Sequence, residues 1–335
     1  MTEITPNLIT DFVDFRNKQK SIFTAGPASL IPENIEGLRP CFGRGDEDYK
    51  KIENEVLEKL KKVSGHKKIV RLQGSASLAL EIISYNFLYG KILIISSGYY
   101  SDRLKILADG AKNMQGEISQ IDIMDLNSID NLTGNYDWIV CCYTETSRGL
   151  KLPLKRIKKK AVELNSKIML DATASIGLET DHDLADVIGY SSCKGLFGLT
   201  GAAFIAYNSP PDLKVNSFYL NLETHINKGM TGPYHSICSL FNVLPKLDDF
   251  KYCCVPSNLV KYSIEGGTSK TSFLIKAKYM YLAARKSNMN IYLSLIATIY
   301  YGLRGLKNRF FNTNRLLNFV YTIRIKLIKK LTSKN

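Results

Sequence analysis

The chain has 335 residues, 45% of them apolar and 23% charged, a balance that allows a full globular core and excludes a fibrous or disordered chain. The formal net charge is +14, but no acidic residue follows Glu265 and residues 266–335 carry 14 Lys and Arg, so the first 265 residues are electrically neutral. The high pI therefore reports the tail and gives no reason to expect nucleic-acid binding by the body.

Seven cysteines without a C-x-x-C and four scattered histidines indicate neither a disulfide framework nor a metal site. The N-terminus is acidic and lacks a basic stretch ahead of an apolar one, so the expected location is the cytoplasm.

After a polar lead-in over residues 1–20, residues 21–27 read as an extended stretch closing on a Gly26-Pro27 turn. Residues 46–63 form an amphipathic helix, with Ile52, Val56, Leu57 and Leu60 on one face and acidic residues at its start. Residues 67–72 read as a strand. It runs into Gln73-Gly74-Ser75-Ala76-Ser77 and then an apolar helix over residues 78–88. A strand, a Gly-Ser turn and a helix N-terminus can bind phosphate, because free N–H groups and the helix dipole face the anion. Many α/β turns share this pattern with nothing bound.

Residues 91–95 form the next strand, followed by Ser96 to Tyr100 and a helix through Leu107. Residues 136–142 form another, ending in Tyr143-Thr144-Glu145-Thr146-Ser147, and residues 154–164 a basic helix. Two strand-like runs come next: one over residues 167–170 ends at Asp171, and one over residues 185–190 ends in Ser191-Ser192-Cys193-Lys194-Gly195. A strand over residues 201–207 and a helix over residues 236–244, stopped by Pro245, complete the pattern. Strands alternating with helices imply an α/β fold with a mostly parallel sheet flanked by helices, and ligands then sit beyond the strands' carboxyl ends. Each polar cluster named above falls at such an end.

An acidic residue at one strand end and a lysine among small residues at the next suit pyridoxal phosphate chemistry. The lysine would carry the cofactor, and the carboxylate would keep its pyridine nitrogen protonated. An ordinary α/β core with a surface lysine after a turn accounts for that stretch equally well.

Taken together, FTAGPASL, GDEDYKK, LQGSASLALE, ILIISSGYYSDR, YTETSRGL, the DATASIG and SSCKG blocks, SFYLNL and MTGPYH resemble the class V, fold-type I PLP-dependent aminotransferases. Within that family they are most similar to the transaminases acting on 2-aminoethylphosphonate and pyruvate. The resemblance runs from about Phe23 to about Ala283. It implies that Lys194 is the Schiff-base lysine, Asp171 the pyridinium partner, and Gly74, Ser75 and Ala76 the phosphate cradle. It also implies that Tyr100 stacks on the cofactor, that Thr146 lies near its phenolic oxygen, and that Cys193 stands beside the lysine in place of a polar residue. Thr231 matches the residue that reaches the phosphate in the neighbouring subunit, which implies a homodimer. Arg44 lies in a segment that lines the site entrance. Arg148 places a charge in the T-E-T-x-x-G turn, where it would bind an anionic substrate or block the cleft. The implied partners are a small amino donor and a 2-oxo acid.

The resemblance divides the chain into the lead-in, a PLP-binding large domain over residues 21–260, and a helical, basic segment over residues 261–335 in place of a small domain. No substrate-clamping arginine motif is recognisable in that last segment. Residues 288–303 are apolar over about fifteen positions, short of the ~20 that span a membrane, and their basic surroundings suit an anionic membrane surface or an acidic partner. A shortened domain packed on the body fits the same residues. Two further readings stay open: a catalytically weakened homologue that docks through this tail, and an alanine–glyoxylate type of transaminase.

Overall fold

The computed structural model describes residues 6–19, 26–38, 45–211, 213–227 and 230–249. Arg44 and the segment over residues 261–335 lie outside the described residues. The expected lead-in is a helix, α1 (Pro6–Gln19), followed by the short α2 (Pro32–Glu36). Helix α3 (Glu47–Ser64) forms where its apolar spacing predicts. Asp46 caps it by accepting the N–H groups of Asp48 and Tyr49, each at 3.0 Å, and Gly65 ends it at φ +71°.

Strands and helices then alternate: β1 (Lys68–Gln73), α4 (Ala76–Phe87), β2 (Gly90–Ser96), α5 (Tyr99–Gln115), β3 (Ile118–Asp125) and β4 (Trp138–Cys142). A two-stranded hairpin of β5 (Thr144–Glu145) and β6 (Leu150–Lys151) precedes α6 (Leu154–Glu163), β7 (Lys167–Asp171), β8 (Val187–Ser191) and β9 (Ala202–Tyr207). Helices α7 (Leu222–Asn227) and α8 (Tyr234–Val243) close the described part. The short α2, α7 and the β5–β6 hairpin were not expected, and two longer elements also depart from expectation. Helix α5 continues eight residues past Leu107, and β3 has no counterpart in the sequence reading. Among the described residues no helix is long and apolar enough to cross a membrane.

The main sheet has seven strands in the order β1-β9-β8-β7-β4-β2-β3. All are parallel except β9, which pairs antiparallel with both neighbours. Side chains alternate across the sheet, and the two faces bury different helices. Ile139, Cys141, Ile168 and Leu170 pack with Val56 of α3, Ile157 of α6 and Leu240 of α8. Val140, Cys142 and Met169 pack with Leu80 and Ile83 of α4 and Leu104 and Ala108 of α5. By the same two-residue period, Asp171 follows Met169 onto the α4/α5 face. The fold thus delivers a carboxylate to the side where two helix N-termini begin.

The segments beyond β7 and β8 interlock. A methyl group at Gly195 would stand 2.2 Å from the Ile176 carbonyl oxygen. One at Gly177, where φ is +76°, would stand 2.7 Å from the Gly195 carbonyl oxygen. Backbone meets backbone here, so neither side can yield cheaply. Gly195→Ala is therefore expected to lower the unfolding free energy by about 1–3 kcal/mol, the usual cost of overpacking. In urea this would appear as a lower midpoint with an unchanged slope.

Two buried histidines brace the outer edge of this region. His66 ring nitrogens face the carbonyls of Ser64 (2.8 Å) and Ala185 (3.0 Å), and His182 Nε2 lies 2.9 Å from Ser175 Oγ. Burial pushes both below the ordinary imidazole value of 6.5, His182 to about 4. The unfolded chain takes up these protons near 6.5 and the folded chain resists them, so the stability they confer is complete above 6.5 and is lost as pH falls towards 4. Relative to His182→Gln, the wild type should lose on the order of 2–3 kcal/mol between pH 7.5 and 4.5. Urea midpoints of both proteins at the two pH values measure this, and a constant difference would contradict it.

Candidate active site

Asp171 ends β7 and is 2% exposed. One of its oxygens accepts the Thr173 N–H at 2.9 Å, and the other faces Nη2 of Arg103 at 3.5 Å. Burial pushes the carboxyl up, opposed by Thr173 and by the charges of Arg103 and Lys194. Asp171 pairs in register with Cys142 of β4 and Gly189 of β8, so the loops that continue from those two strands flank it.

The loop after β8 presents Lys194. Ser192 holds it shut, its hydroxyl donating to the carbonyls of Leu199 and Ala202 and its own carbonyl accepting the Gly198 N–H at 2.8 Å. The segment around Gly26 packs on the lysine stem: Ala28 N–H donates to the Cys193 carbonyl at 2.8 Å, and a methyl group on Gly26 would stand 2.9 Å from Lys194 Cγ. With its stem confined, Lys194 holds Nζ 5.6 Å from the centroid of the Tyr100 ring. Lys194, Asp171, Tyr100 and Thr146 line one pocket, together with Cys142, Thr144, Thr173 and Ala174.

Gly74 to Ala76 begin α4. Gly74 N–H donates to the Gly201 carbonyl at 2.9 Å, tying this turn to the start of β9. Ser75 is the N-cap, but its hydroxyl makes no capping bond. The N-terminus of α4 is thus open to an anion. Cys193 is half-buried, with Sγ 3.6 Å from the Ser191 hydroxyl. Arg148 is not among the pocket's lining residues; its guanidinium donates to the Ser97 carbonyl at 3.3 Å. Thr231 is exposed and lines a different pocket with Arg71, Gln73, Tyr219 and His225. That pocket adjoins the end of β1 that leads to Gly74.

Two residues to which the sequence alone assigns no role complete the site. Glu145 is fully buried. One of its oxygens accepts the N–H groups of Tyr100 and Ser101, each at 3.1 Å, at the start of α5. The other accepts the Ser147 N–H at 3.2 Å and the Ser147 hydroxyl. Arg103 lies one helical turn after Tyr100, its guanidinium 5.0 Å from that ring's centroid. It donates to Ser77 Oγ at 3.2 Å and reaches Asp171. The i, i+3 spacing from Tyr100 was the signal that could have found it.

These residues fit pyridoxal phosphate. An amine, a carboxylate and an aromatic face converge, an uncapped helix N-terminus lies within the span of one arginine, and the buried Thr144 hydroxyl lining the pocket has no hydrogen-bond partner. A buried polar atom without a partner calls for a ligand group.

Thiol chemistry checks this geometry. Burial and the neighbouring Asp171 push Cys141 up to about 12, and they push Cys142 up as well; Cys238 is also buried. Among these and Cys193, alkylation of the native protein followed by peptide mapping should mark Cys193 first, and pyridoxal phosphate should slow that reaction. Prompt modification of Cys141 or Cys142 would contradict the pocket as described.

Comparison with known proteins finds similarity to aminotransferases. No protein-family model matches the chain. The chain is 23% identical over 254 residues to a bifunctional phosphonoacetaldehyde hydrolase/aminoethylphosphonate transaminase of Clostridioides difficile, covering 68% of this chain and 40% of that protein. It is 26% identical over 254 residues to a 2-aminoethylphosphonate–pyruvate transaminase of Syntrophobacter fumaroxidans, covering 68% of each. The chain thus spans less than half of the first of these relatives. Among solved structures, an aspartate aminotransferase of subgroup IV from Thermus thermophilus superposes with a TM-score of 0.59 at 20% identity, covering 67% of this chain and 71% of that one. The described residues have the fold of these aminotransferases, a mostly parallel sheet flanked by helices.

Proposed function

We propose that the chain is a PLP-dependent aminotransferase that moves an amino group between a small amino donor and a 2-oxo acid, with 2-aminoethylphosphonate and pyruvate as the pair. One observation carries the reading. Asp171 and Lys194, at the ends of adjacent strands, line a single pocket with the Tyr100 ring. The names of the two aminoethylphosphonate transaminases support the choice of substrate.

When bound, pyridoxal phosphate supplies an electron sink for a carbanion next to the substrate nitrogen. The chain's own residues do the rest. Asp171 would keep a proton on the ring nitrogen, which requires the carboxylate to be ionised in a site where burial opposes that. Lys194 would hold the cofactor through its amine, and when free that amine is the pocket's base for moving a proton. Tyr100 supplies a flat apolar face and Thr146 a hydroxyl at the pocket wall. Gly74, Ser75 and Ala76 present the N-terminus of α4 to the phosphate.

Thr231 belongs to the same reading as a residue that completes the cradle of a second copy, since its pocket adjoins Gln73 at the outer strand of the sheet. Arg148 is the described cation for an anionic substrate group, provided that it gives up the Ser97 carbonyl. For the segment over residues 261–335, docking to an anionic surface is a separate proposal beside that of a shortened domain packed on the body.

The test is the visible absorbance of the purified protein with added pyridoxal phosphate, followed by borohydride reduction and peptide mapping. The expected result is a chromophore reduced onto Lys194, lost in Lys194→Ala, and altered by 2-aminoethylphosphonate in preference to alanine. A chromophore that responds to alanine and glyoxylate alone would reassign the substrate. No adduct on Lys194 would overturn the enzyme reading and leave the tail as the place to seek a function.

A further inference from the structure

Arg103 has no part in the reading above, yet it touches three parts of the site. Its guanidinium lies over the Tyr100 ring at 5.0 Å, donates to Ser77 Oγ at 3.2 Å in the first turn of α4, and faces Asp171 at 3.5 Å. Its Nε is buried without a partner. An arginine serving only to staple α4 to α5 has no need of the carboxylate. One serving only the carboxylate would approach closer than 3.5 Å, since charge-assisted pairs close to about 2.7–2.9 Å. The long contact to Asp171 and the idle Nε describe a cation held near its carboxylate but not saturated by it.

We propose that Arg103 is a positioning residue: the internal cation that occupies Asp171 before a cofactor arrives, and that ties this carboxylate to Ser77 at the start of the anion cradle. The inference rests on the PLP reading and deepens it. The two ends of the ligand, a protonated ring nitrogen and a phosphate, are separated by the ring itself. Asp171 lies at one end and the N-terminus of α4 at the other, and Arg103 is the side chain that bridges them. The pyridinium can take over the Asp171 oxygen that Arg103 only faces, while Thr173 N–H keeps the other oxygen fixed.

Asp171 is met from several elements. Arg103 comes from α5, Lys194 from the loop after β8, and Thr173 from its own loop; Cys141 and Cys142 on β4 have raised thiol values and are neutral there. Arg103 and Lys194 are thus the cations that favour its charged form. Removing Arg103 should shift the protonation of Asp171 to higher pH and make ligand binding fail first on the acid side.

The experiment titrates the cofactor-free full chain with pyridoxamine 5'-phosphate, which forms no imine with Lys194, from pH 5.5 to 9, following ligand fluorescence. Wild type, Arg103→Lys, Arg103→Gln and Ser77→Ala are compared. Arg103→Gln should bind about tenfold more weakly at the acid end of this range, the equivalent of roughly one pH unit of displaced titration, and the deficit should shrink as pH rises. Arg103→Lys should restore most of the affinity at low pH. Ser77→Ala, a small change at a half-buried position in the first turn of α4, should show a weaker deficit with the same pH dependence. A loss that is constant across pH, or no loss at all, would overturn the inference while leaving the cofactor reading intact. If Arg103→Gln does not fold, a pH-independent Ser77→Ala overturns it equally. Wild-type protein that binds no pyridoxamine 5'-phosphate would bring down the cofactor reading and this inference with it.

Discussion

A carboxylate held 2% exposed at the end of a central strand constrains everything around it. Moving an ionised carboxyl group out of water costs several kcal/mol unless hydrogen bonds and opposite charges return it. Asp171 has those compensations: a backbone N–H two residues on and, from distant parts of the chain, a guanidinium from α5 and an ammonium from the loop after β8. The two charges can act only if the sheet order brings β7 beside β8 and sets α5 over their ends. The topology therefore assembles the electrostatic environment of one side chain, and the pocket is the space left within it.

The single reversed strand matters in the same way. β9 runs antiparallel between β8 and β1, so the chain leaves the lysine loop, turns back at once, and passes beside the end of β1. The bond from Gly74 N–H to the Gly201 carbonyl records that meeting. A parallel β9 would need a long crossover after Lys194, and the anion cradle and the lysine would lose their common edge. Small residues make the turn possible: Ala202 and Ala203 are fully buried, and the loops around Gly177 and Gly195 touch through backbone atoms.

Much of this was legible in the sequence, for reasons that can be named. Buried parallel strands are continuous apolar runs, so β2, β4 and β7 stand out, and the polar residues that end them mark the ligand side. β3 was not legible because it is an edge strand: its burial alternates weakly and several of its side chains face solvent, so ISQIDIMD carries no clear period. Helix α5 appeared to stop early because Asp109, Gly110, Lys112 and Asn113 break its apolar stripe, although Ala108 and Ala111 remain buried. Arg103 and Glu145 were missed because charged residues near turns are most often solvated. What each does depends on a partner far away in sequence, Asp171 for one and the start of α5 for the other.

Two buried carboxylates, Glu145 on β5 and Asp171 at the end of β7, differ in how their charge is held. Glu145 is saturated by fixed donors, namely two backbone N–H groups at a helix N-terminus and the N–H and hydroxyl of Ser147. Nothing about it can be exchanged without breaking α5 away from the hairpin, so its work is to hold Tyr100 and Thr146 in register. Asp171 is held by Thr173 and, among the described residues, otherwise by the long contact to Arg103 and the longer-range charge of Lys194. A carboxylate built solely for stability has no reason to keep such a loose partner. One built to receive a cation must, because a tight internal ion pair would have to be broken each time the ligand bound. On the proposed reading, the looseness of the Arg103–Asp171 contact leaves the carboxylate able to receive a positively charged ring.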